Sequence, residues 1–173
     1  TLTVNPALDK STHFKGLVAE QKIRCEEPRF DAGGGGINVS KAISRLGGSS
    51  MAVFTSGGPS GKMLEELVDK ESIAFEAIPV QTWTRESFVA VDSNTNSQYR
   101  FGFTGGKITN EEEQAVLDAV ANLKPKFLVA RGSLNEGLSS VFYQKVAEIA
   151  KKSNSKLIVD TSGEDLKKVL ETG

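Results

Sequence analysis

The sequence is poor in the residues that bind metals or form disulfides. Among 173 residues there is one cysteine, Cys25, and one histidine, His13. A single cysteine excludes an internal disulfide and fits a reducing compartment, so we expect a cytoplasmic protein. A single histidine excludes a multi-histidine metal site, and we expect no metal bound by the chain itself. No Ser–His–Asp or Cys–His arrangement for nucleophilic catalysis can be assigned from these residues.

The sequence also lacks an excess of either charge and any long hydrophobic run. It has 21 basic and 22 acidic residues, a net charge of −1, and aromatic residues make up 7%. This balance gives no electrostatic footprint for nucleic acid or an anionic membrane, so we expect neither as a partner. The longest apolar runs, such as residues 127–130, are too short to span a bilayer. No signal-peptide pattern is present, although the chain begins with Thr1 and not with methionine.

Glycine, by contrast, is abundant and concentrated in one stretch, DAGGGGINVSKAISRLGG, residues 31–48. Four glycines, Gly33 to Gly36, lead into an amphipathic helix whose apolar residues recur at helical spacing: Val39, Ala42, Ile43 and Leu46. The free N–H groups of a helix N-terminus favour an anion or a hydroxyl-rich ligand, and Asn38 adds an amide. A turn without a ligand is the alternative. The stretch matches neither GxxxxGK[ST] nor GxGxxG.

The order of predicted elements indicates an α/β fold. We expect strands at 1–4, 50–55, 74–80, 127–130 and 156–160. Helices are expected after the glycines and at 61–70, 109–123, 140–152 and 164–171. The helix at 109–123 begins with a capping box, Thr109-x-x-Glu112. This alternation predicts a parallel sheet flanked by helices. Two excursions without helices interrupt it: short strands at 11–14 and 22–30, and a hairpin at 87–103 that we interpret as a flap.

Polar groups fall at the ends of several predicted strands. They are Asp9, the Gly33–Gly36 turn with Asn38, Ser133 and Asp160, and the flap carries Arg85 and Arg100. Carboxylate and amide groups suit sugar hydroxyls, and the planar guanidinium of arginine suits phosphate. The combination predicts a site for a phosphorylated sugar. The alternatives are a turn aspartate at Asp9 and solvated charges at the two arginines.

Several segments resemble the ribokinase-like (PfkB) sugar kinases. They are TLTVNPALDKS, KIRCEEPRFDAGGGGINVSKAISRLGG, WTRESF, QYRF, GSL and VDTSGEDL. The resemblance covers essentially the whole chain, residues 1–173, and is strongest to the PfkB-type 6-phosphofructokinases. It implies a Rossmann-like α/β core with a small β-sheet lid formed by segments at about 11–30 and 87–103. Such lids often serve as dimer interfaces, so it also implies a homodimer.

The resemblance also implies roles for individual residues. By position, Asp9 would bind sugar hydroxyls, and Gly34, Gly35 and Asn38 would hold the sugar from the glycine turn. The substrate phosphate would be contacted from the lid by Lys22 and Arg85, with help from Arg100. Ser133 would lie near the sugar. The cofactors implied are ATP and Mg²⁺.

The chain departs from the family pattern at three places. Gly35 stands where many 1-phosphofructokinases and tagatose-6-phosphate kinases have the lysine of a GGKG motif. The family's GSLPPG reads Gly132-Ser133-Leu134-Asn135-Glu136-Gly137 here, preceded by Arg131. The GAGD motif, which supplies the catalytic aspartate in the second half of family members, is absent. We therefore expect the N-terminal part of such a kinase, with no catalytic residue and no activity alone, and an exposed sheet edge that promotes association.

The expected activity of the intact enzyme is ATP-dependent phosphorylation of fructose 6-phosphate to fructose 1,6-bisphosphate, a step of glycolysis. Tagatose 6-phosphate or fructose 1-phosphate are alternative substrates. A non-catalytic sugar-phosphate binding module is an alternative of another class. A nucleotide-dependent oxidoreductase is a further one, which the misplaced third glycine and the helix-free flap disfavour.

Overall fold

The computed structural model describes residues 1–170, which form two β-sheets and five helices. The strands in chain order are β1 Leu2–Thr3, β2 Ala7–Phe14, β3 Arg29–Gly33, β4 Met51–Ser56, β5 Ala74–Pro79, β6 Arg85–Asp92, β7 Gln98–Gly102, β8 Phe127–Arg131 and β9 Lys156–Asp160. The helices are α1 Gly35–Arg45, α2 Gly58–Lys70, α3 Asn110–Leu123, α4 Phe142–Lys152 and α5 Gly163–Leu170.

The larger sheet has the order β5-β4-β1-β8-β9, and all its neighbouring strands are parallel. After β1, the chain places β4 and β5 on one side of β1, with α1 and α2 as the connecting helices. It later places β8 and β9 on the other side, through α3 and α4. Because such crossovers are right-handed, the two pairs of helices lie on opposite faces of the sheet. This arrangement confirms the predicted α/β fold and makes β1 the point at which the strand order reverses.

Two apolar clusters fill the space between the sheet and its helices. On the α1–α2 face, Phe54 packs with Leu64 and Val68. On the other face, Val53 packs with residues of α3 and α4, among them Val120 and Val146. Successive residues of β4 thus point to opposite faces, as the geometry of a strand requires. The predicted capping box of α3 is present, with Glu112 N–H donating to Thr109 Oγ1 and Thr109 N–H to Glu112 Oε2.

The smaller sheet has the order β3-β2-β6-β7 and joins the two predicted excursions. Strands β2 and β6 are parallel neighbours, from Ala7 beside Arg85 to Phe14 beside Asp92. We call this sheet the lid. The strand predicted at 22–30 is wrong over most of its length: residues 22–28 are irregular apart from a bridge between Cys25 and Phe14, and β3 begins only at residue 29.

The apolar residues predicted to face the core from α1, residues 39, 42, 43 and 46, are not the residues that the helix buries. The buried residues are Gly36, Ile37, Ser40 and Lys41, whereas Leu46 is 88% exposed. A lysine is accommodated there because its ammonium group donates to the Ala32 carbonyl at 2.8 Å and pairs with Glu71 at 2.7 Å. Helix periodicity located the helix correctly, but the polar partners decide which side faces inward.

One part of the sheet remains uncovered on the α1–α2 face. Leu128, Ala130, Leu157 and Val159 pack toward α3 and α4, so alternate residues of β8 and β9 point the other way. Of these, Phe127 is 52% and Ile158 53% exposed. We call this surface the open face.

The remaining helices lie close to their predicted positions. The described part of α5 ends at residue 170, so the last predicted helical residue, 171, lies outside the described residues. Across residues 1–170, none of the helices combines the length and the hydropathy needed to cross a bilayer.

Candidate functional site

A cavity of about 420 Å³ opens at the carboxyl ends of the core strands, beneath the lid. It lies where the strand order reverses at β1, the position at which open α/β sheets bind ligands. The side chains and backbone that line it are largely polar: Ala7, Asp9, Gly34, Gly35, Asn38, Arg85, Arg131, Gly132, Ser133, Asp160, Thr161 and Ser162. Six of the eight predicted binding residues are among them.

The glycine turn forms one wall of this cavity and begins α1. Gly34 is the N-cap residue and has φ 132°, a conformation that favours glycine. As a glycine, the N-cap residue offers no capping side chain, and the first turn holds no acidic residue. In the same turn, Ile37 N–H donates to Thr3 Oγ1 at 3.2 Å. Within residues 1–170, the N–H groups of Gly35 and Gly36 have no hydrogen-bond partner. The turn therefore presents free donors at the positive end of the helix dipole.

Asn38 lies in the first turn of α1 and is exposed to the cavity. Its backbone N–H donates to the Gly34 carbonyl at 2.9 Å, which fixes the residue in the helix. In the described part of the chain its side-chain amide has no protein partner, so both its donor and its acceptor face the cavity unused.

The sequence suggested that Asp9 lies at the end of β1. In the structure it faces the cavity from the lid instead. It is the third residue of β2 and lies in register with Asp31 on one side and Ser87 on the other. Burial raises the pKa of its carboxyl group above the ordinary value, and the charge of Arg85 and the hydroxyl of Ser87 oppose that change. The carboxylate therefore lies in a partly desolvated position where a ligand hydroxyl is a favourable partner.

Arg85 is the first residue of β6, at the base of the lid. The preceding residue is fixed to the start of α2: Thr84 N–H donates to the Gly57 carbonyl at 2.8 Å, and Ser60 Oγ donates to the Thr84 carbonyl at 2.6 Å. Among residues 1–170, the guanidinium group itself makes only long contacts, to the carbonyls of Asn5 at 3.4 Å and Phe103 at 3.5 Å. Most of its donor capacity remains available to an anion.

Ser133 follows β8, in a turn fixed from two sides. Gly132, with φ 131°, accepts a hydrogen bond at its carbonyl from Tyr143 Oη at 2.7 Å. The Ser133 hydroxyl accepts from Asn5 Nδ2 at 3.1 Å. Ser133 and Arg85 also line an adjoining cavity of about 470 Å³.

Two predicted binding residues lie elsewhere in this chain. Lys22 lines a different cavity of about 470 Å³, formed by the lid loop that includes Lys15, Arg24 and Cys25. Arg100 is exposed in β7, in register with Val89, and lines none of these cavities. The structure of one chain therefore does not bring either residue to the candidate site, and their roles in phosphate binding stay predictions.

Sequence reasoning missed three polar side chains of the lining: Arg131, Thr161 and Ser162. All three end or follow β8 and β9, so the reasoning that selected Ser133 and Asp160 applies to them equally. Arg131 was noted only as a departure from a family motif. Within residues 1–170, no group of three or more metal-ligating side chains is present.

A family model for pfkB family carbohydrate kinases matches residues 3–172. The chain belongs to the pfkB family of carbohydrate kinases. This membership confirms the resemblance seen in the sequence, and it agrees with the core sheet and lid described above.

This pfkB-family chain has both 6-phosphofructokinases and 1-phosphofructokinases among its curated relatives. It is 43% identical over 171 residues to the ATP-dependent 6-phosphofructokinase isozyme 2 of Mycobacterium tuberculosis, covering 98% of this chain and 50% of that protein. It is 35% identical to the Escherichia coli enzyme of the same name, and the match covers 100% of this chain and 56% of that protein. The crystal structure of E. coli phosphofructokinase-2 in complex with fructose-6-phosphate superposes with a TM-score of 0.93 at 35% identity. The superposition covers 99% of this chain and 57% of that one. The chain thus spans about half the length of the relatives it matches.

Proposed function

We propose that this chain forms the sugar-phosphate site of an ATP-dependent kinase that phosphorylates fructose 6-phosphate at its 1-hydroxyl group. The observation that carries the proposal is a single cavity into which Asp9, Asn38 and Arg85 converge from the lid and from α1. The chain is similar to 6-phosphofructokinases, and one of them was solved with fructose-6-phosphate. This similarity supports fructose 6-phosphate over other sugar phosphates.

In the proposed complex the lid and the core contact different parts of the substrate. Arg85 binds the 6-phosphate through its unused guanidinium donors, since a planar fork matches a phosphate bidentately. Asp9 accepts hydrogen bonds from sugar hydroxyls, and the Asn38 amide both donates and accepts. The free N–H groups of Gly35 and Gly36 bind oxygen atoms of the sugar at the helix N-terminus.

The cavity does not fit the nucleotide. Its lining within the described chain includes no aromatic side chain and no aliphatic one larger than Ala7, so it offers no surface for an adenine ring. Mg²⁺ has no ligand cluster there among residues 1–170. We therefore assign ATP and Mg²⁺ to the intact enzyme alone, and we propose that this chain binds sugar phosphate without turning it over.

We further propose that the intact protein is a cytoplasmic homodimer that associates through the lid. The lid strand β7 and the loop after β2 expose large apolar side chains that a second copy would cover: Leu17 at 53%, Val18 at 49% and Phe101 at 51% exposure.

Isothermal titration of the chain with fructose 6-phosphate, with ATP as the paired ligand, tests the proposal. We expect binding of the sugar phosphate and none of ATP. Arg85→Ala should weaken sugar-phosphate binding at least tenfold, since it removes charge-assisted hydrogen bonds. Arg45→Ala, a surface arginine of α1 with a 76% exposed side chain, is the matched control and should not change it. Binding of ATP but not of sugar phosphate would contradict the proposal.

A further inference from the structure

Arg131, the last residue of β8, is held against the glycine turn that begins α1. A Cβ atom on Gly35 would lie 2.5 Å from Arg131 Cγ and 2.8 Å from its Cδ, far inside van der Waals contact. Only glycine therefore lets the aliphatic part of this arginine cross the first residue of α1. The side chain is fixed by packing along its length and not only at its charged end.

The guanidinium group is fixed as well, but most of it is unused. Its Nε lies 2.6 Å from Asp160 Oδ2, at the end of β9, in an ion pair. Four of the five N–H donors of an arginine are on its two terminal nitrogens. Within residues 1–170 these four have no protein partner. The side chain is 46% exposed and lines the candidate cavity, so the free donors are accessible to a ligand.

The surroundings of Arg131 favour an anion. The neighbouring N-terminus of α1 has a glycine at its N-cap and no acidic residue in its first turn, and only its Ile37 N–H is bound by a side chain, Thr3 Oγ1, among residues 1–170. Asp160 offsets part of the arginine's charge, yet it leaves the terminal nitrogens free and holds the planar group in one orientation. A positioned guanidinium beside a helix N-terminus is a strong arrangement for binding a phosphoryl group.

Arg131 and Arg85 line the same cavity from different walls. Arg85 belongs to the lid and contacts Asn5 and Phe103, whereas Arg131 belongs to the core sheet and contacts Gly35 and Asp160. The two guanidinium groups share none of these contacts. The cavity therefore has two cationic groups that are held by different walls.

We propose that Arg131 binds a second phosphoryl group, so that the cavity accepts a sugar carrying two phosphates, one at Arg85 and one at Arg131. This inference rests on the proposed function, in which the second group is the one added to the 1-oxygen. Arg131 is then the residue that distinguishes the bisphosphate from the monophosphate.

Titration of the chain with fructose 6-phosphate and fructose 1,6-bisphosphate tests this role. We expect the bisphosphate to bind at least tenfold more tightly. Arg131→Met, which keeps an unbranched apolar side chain, should remove most of that difference and change monophosphate affinity less than threefold. Arg131→Lys keeps a positive charge but loses the planar guanidinium group. Its preference for the bisphosphate should lie between those of the unchanged chain and Arg131→Met. Arg45→Met is the control, and thermal unfolding of each variant reports whether it folds.

The outcomes separate the two proposals. Equal affinity for both ligands in the unchanged chain, or an unchanged ratio in folded Arg131→Met and Arg131→Lys, would overturn the role of Arg131 and leave the sugar-phosphate site intact. If Arg131→Met does not fold, the ratio of bisphosphate to monophosphate affinity in Arg131→Lys tests the role of Arg131 alone. Absence of binding by either ligand would contradict the proposed function, and the role of Arg131 with it.

Discussion

Tyr143 donates its hydroxyl hydrogen to the carbonyl of Gly132, 2.7 Å away. The tyrosine belongs to α4 and is 3% exposed, whereas the glycine precedes Ser133 in the wall of the candidate site. A buried helix residue thus sets the position of a binding-site turn. Burial raises the pKa of the phenol to about 12, because the charged form would be poorly solvated there.

Replacing Tyr143 by phenylalanine should cost about 1 kcal/mol of stability, the usual contribution of one buried hydrogen bond. The free phenol of an unfolded chain ionises near pH ~10, so the unchanged protein should lose additional stability between that pH and about 12. Tyr143→Phe should not show this loss. Chemical denaturation at pH 7 and at pH 11 measures both effects. An equal pH dependence in the two proteins would contradict the expectation.

Asp9→Asn should stabilise the chain while it impairs the site. The pKa of Asp9 is raised in the folded state. Its contribution to stability is therefore fully present below the ordinary pKa of an aspartate and is lost as the pH rises through the folded pKa. Asparagine cannot ionise, so we expect a higher melting temperature at pH 7 and little change near pH 3. Fructose 6-phosphate affinity should fall at least tenfold, since a charged acceptor is lost.

Asp69→Asn, on the exposed side of α2, is the comparison for this experiment. It should alter neither the melting temperature nor the affinity. A lower melting temperature of Asp9→Asn at pH 7 would show that the carboxylate stabilises the lid, contrary to the cause we assign to its raised pKa.

Glu112 should contribute more to stability than an ordinary capping residue. Besides the capping box with Thr109, its Oε1 accepts from Gln81 N–H at 2.6 Å, which connects α3 to the loop after β5. Thr109→Ala should cost about 1 kcal/mol, the typical effect of losing an N-cap. Glu112→Ala should cost about 2 kcal/mol, because two N–H groups lose their acceptor. Urea denaturation measures both.

Glu111→Ala provides the matched control, since Glu111 is the exposed acidic residue beside Glu112 in the same helical turn. Its effect should stay within about 0.5 kcal/mol. If Glu112→Ala and Thr109→Ala cost the same, the contact with Gln81 adds nothing to stability.

The open face should make the chain associate as its concentration rises. Phe127→Thr combined with Ile158→Thr removes two exposed apolar side chains from β8 and β9 and retains residues suited to a strand. Sedimentation velocity should show a larger monomer fraction for this variant. Val141→Thr, 37% exposed at the start of α4, should not change it.

Leu17→Asp, in the lid loop, distinguishes this association from the proposed lid dimer. It should abolish a defined dimer and leave the concentration-dependent association through the open face. Association that persists in the Phe127→Thr, Ile158→Thr variant but disappears in Leu17→Asp would assign the whole effect to the lid.

Much of the fold was predictable because it depends on local signals. The capping box at Thr109 and the apolar run at residues 127–130 located α3 and β8 within a residue or two. The inner side of α1 was not predictable, since it depends on the Glu71 carboxylate and the Ala32 carbonyl, which reach Lys41 only in the folded chain. The start of β3 was missed because residues 22–28 alternate in polarity as a strand does, without a partner strand along most of their length.

The candidate site was predictable where strand ends and the glycine turn indicated it. Asn38 and Ser133 were selected in this way and Arg85 from its place in the flap, and all three line the cavity. Asp9 was selected for a position it does not hold, because the lid strand β2 begins two residues earlier than the carboxylate. Arg131 was overlooked because its importance depends on packing against Gly35 and pairing with Asp160, and neither contact leaves a local pattern in the sequence.

The central position of β1 has a consequence for the order of folding. This two-residue strand lies between β4 and β8, and its Leu2 pairs with Val53 on one side and Ala130 on the other. During synthesis, β1 must wait for more than a hundred further residues before its second neighbour exists. Pairing over such separations slows folding, because the closure of long loops precedes the contacts that stabilise them. We therefore expect β1 to be the last part of the core sheet to become protected from hydrogen exchange during refolding.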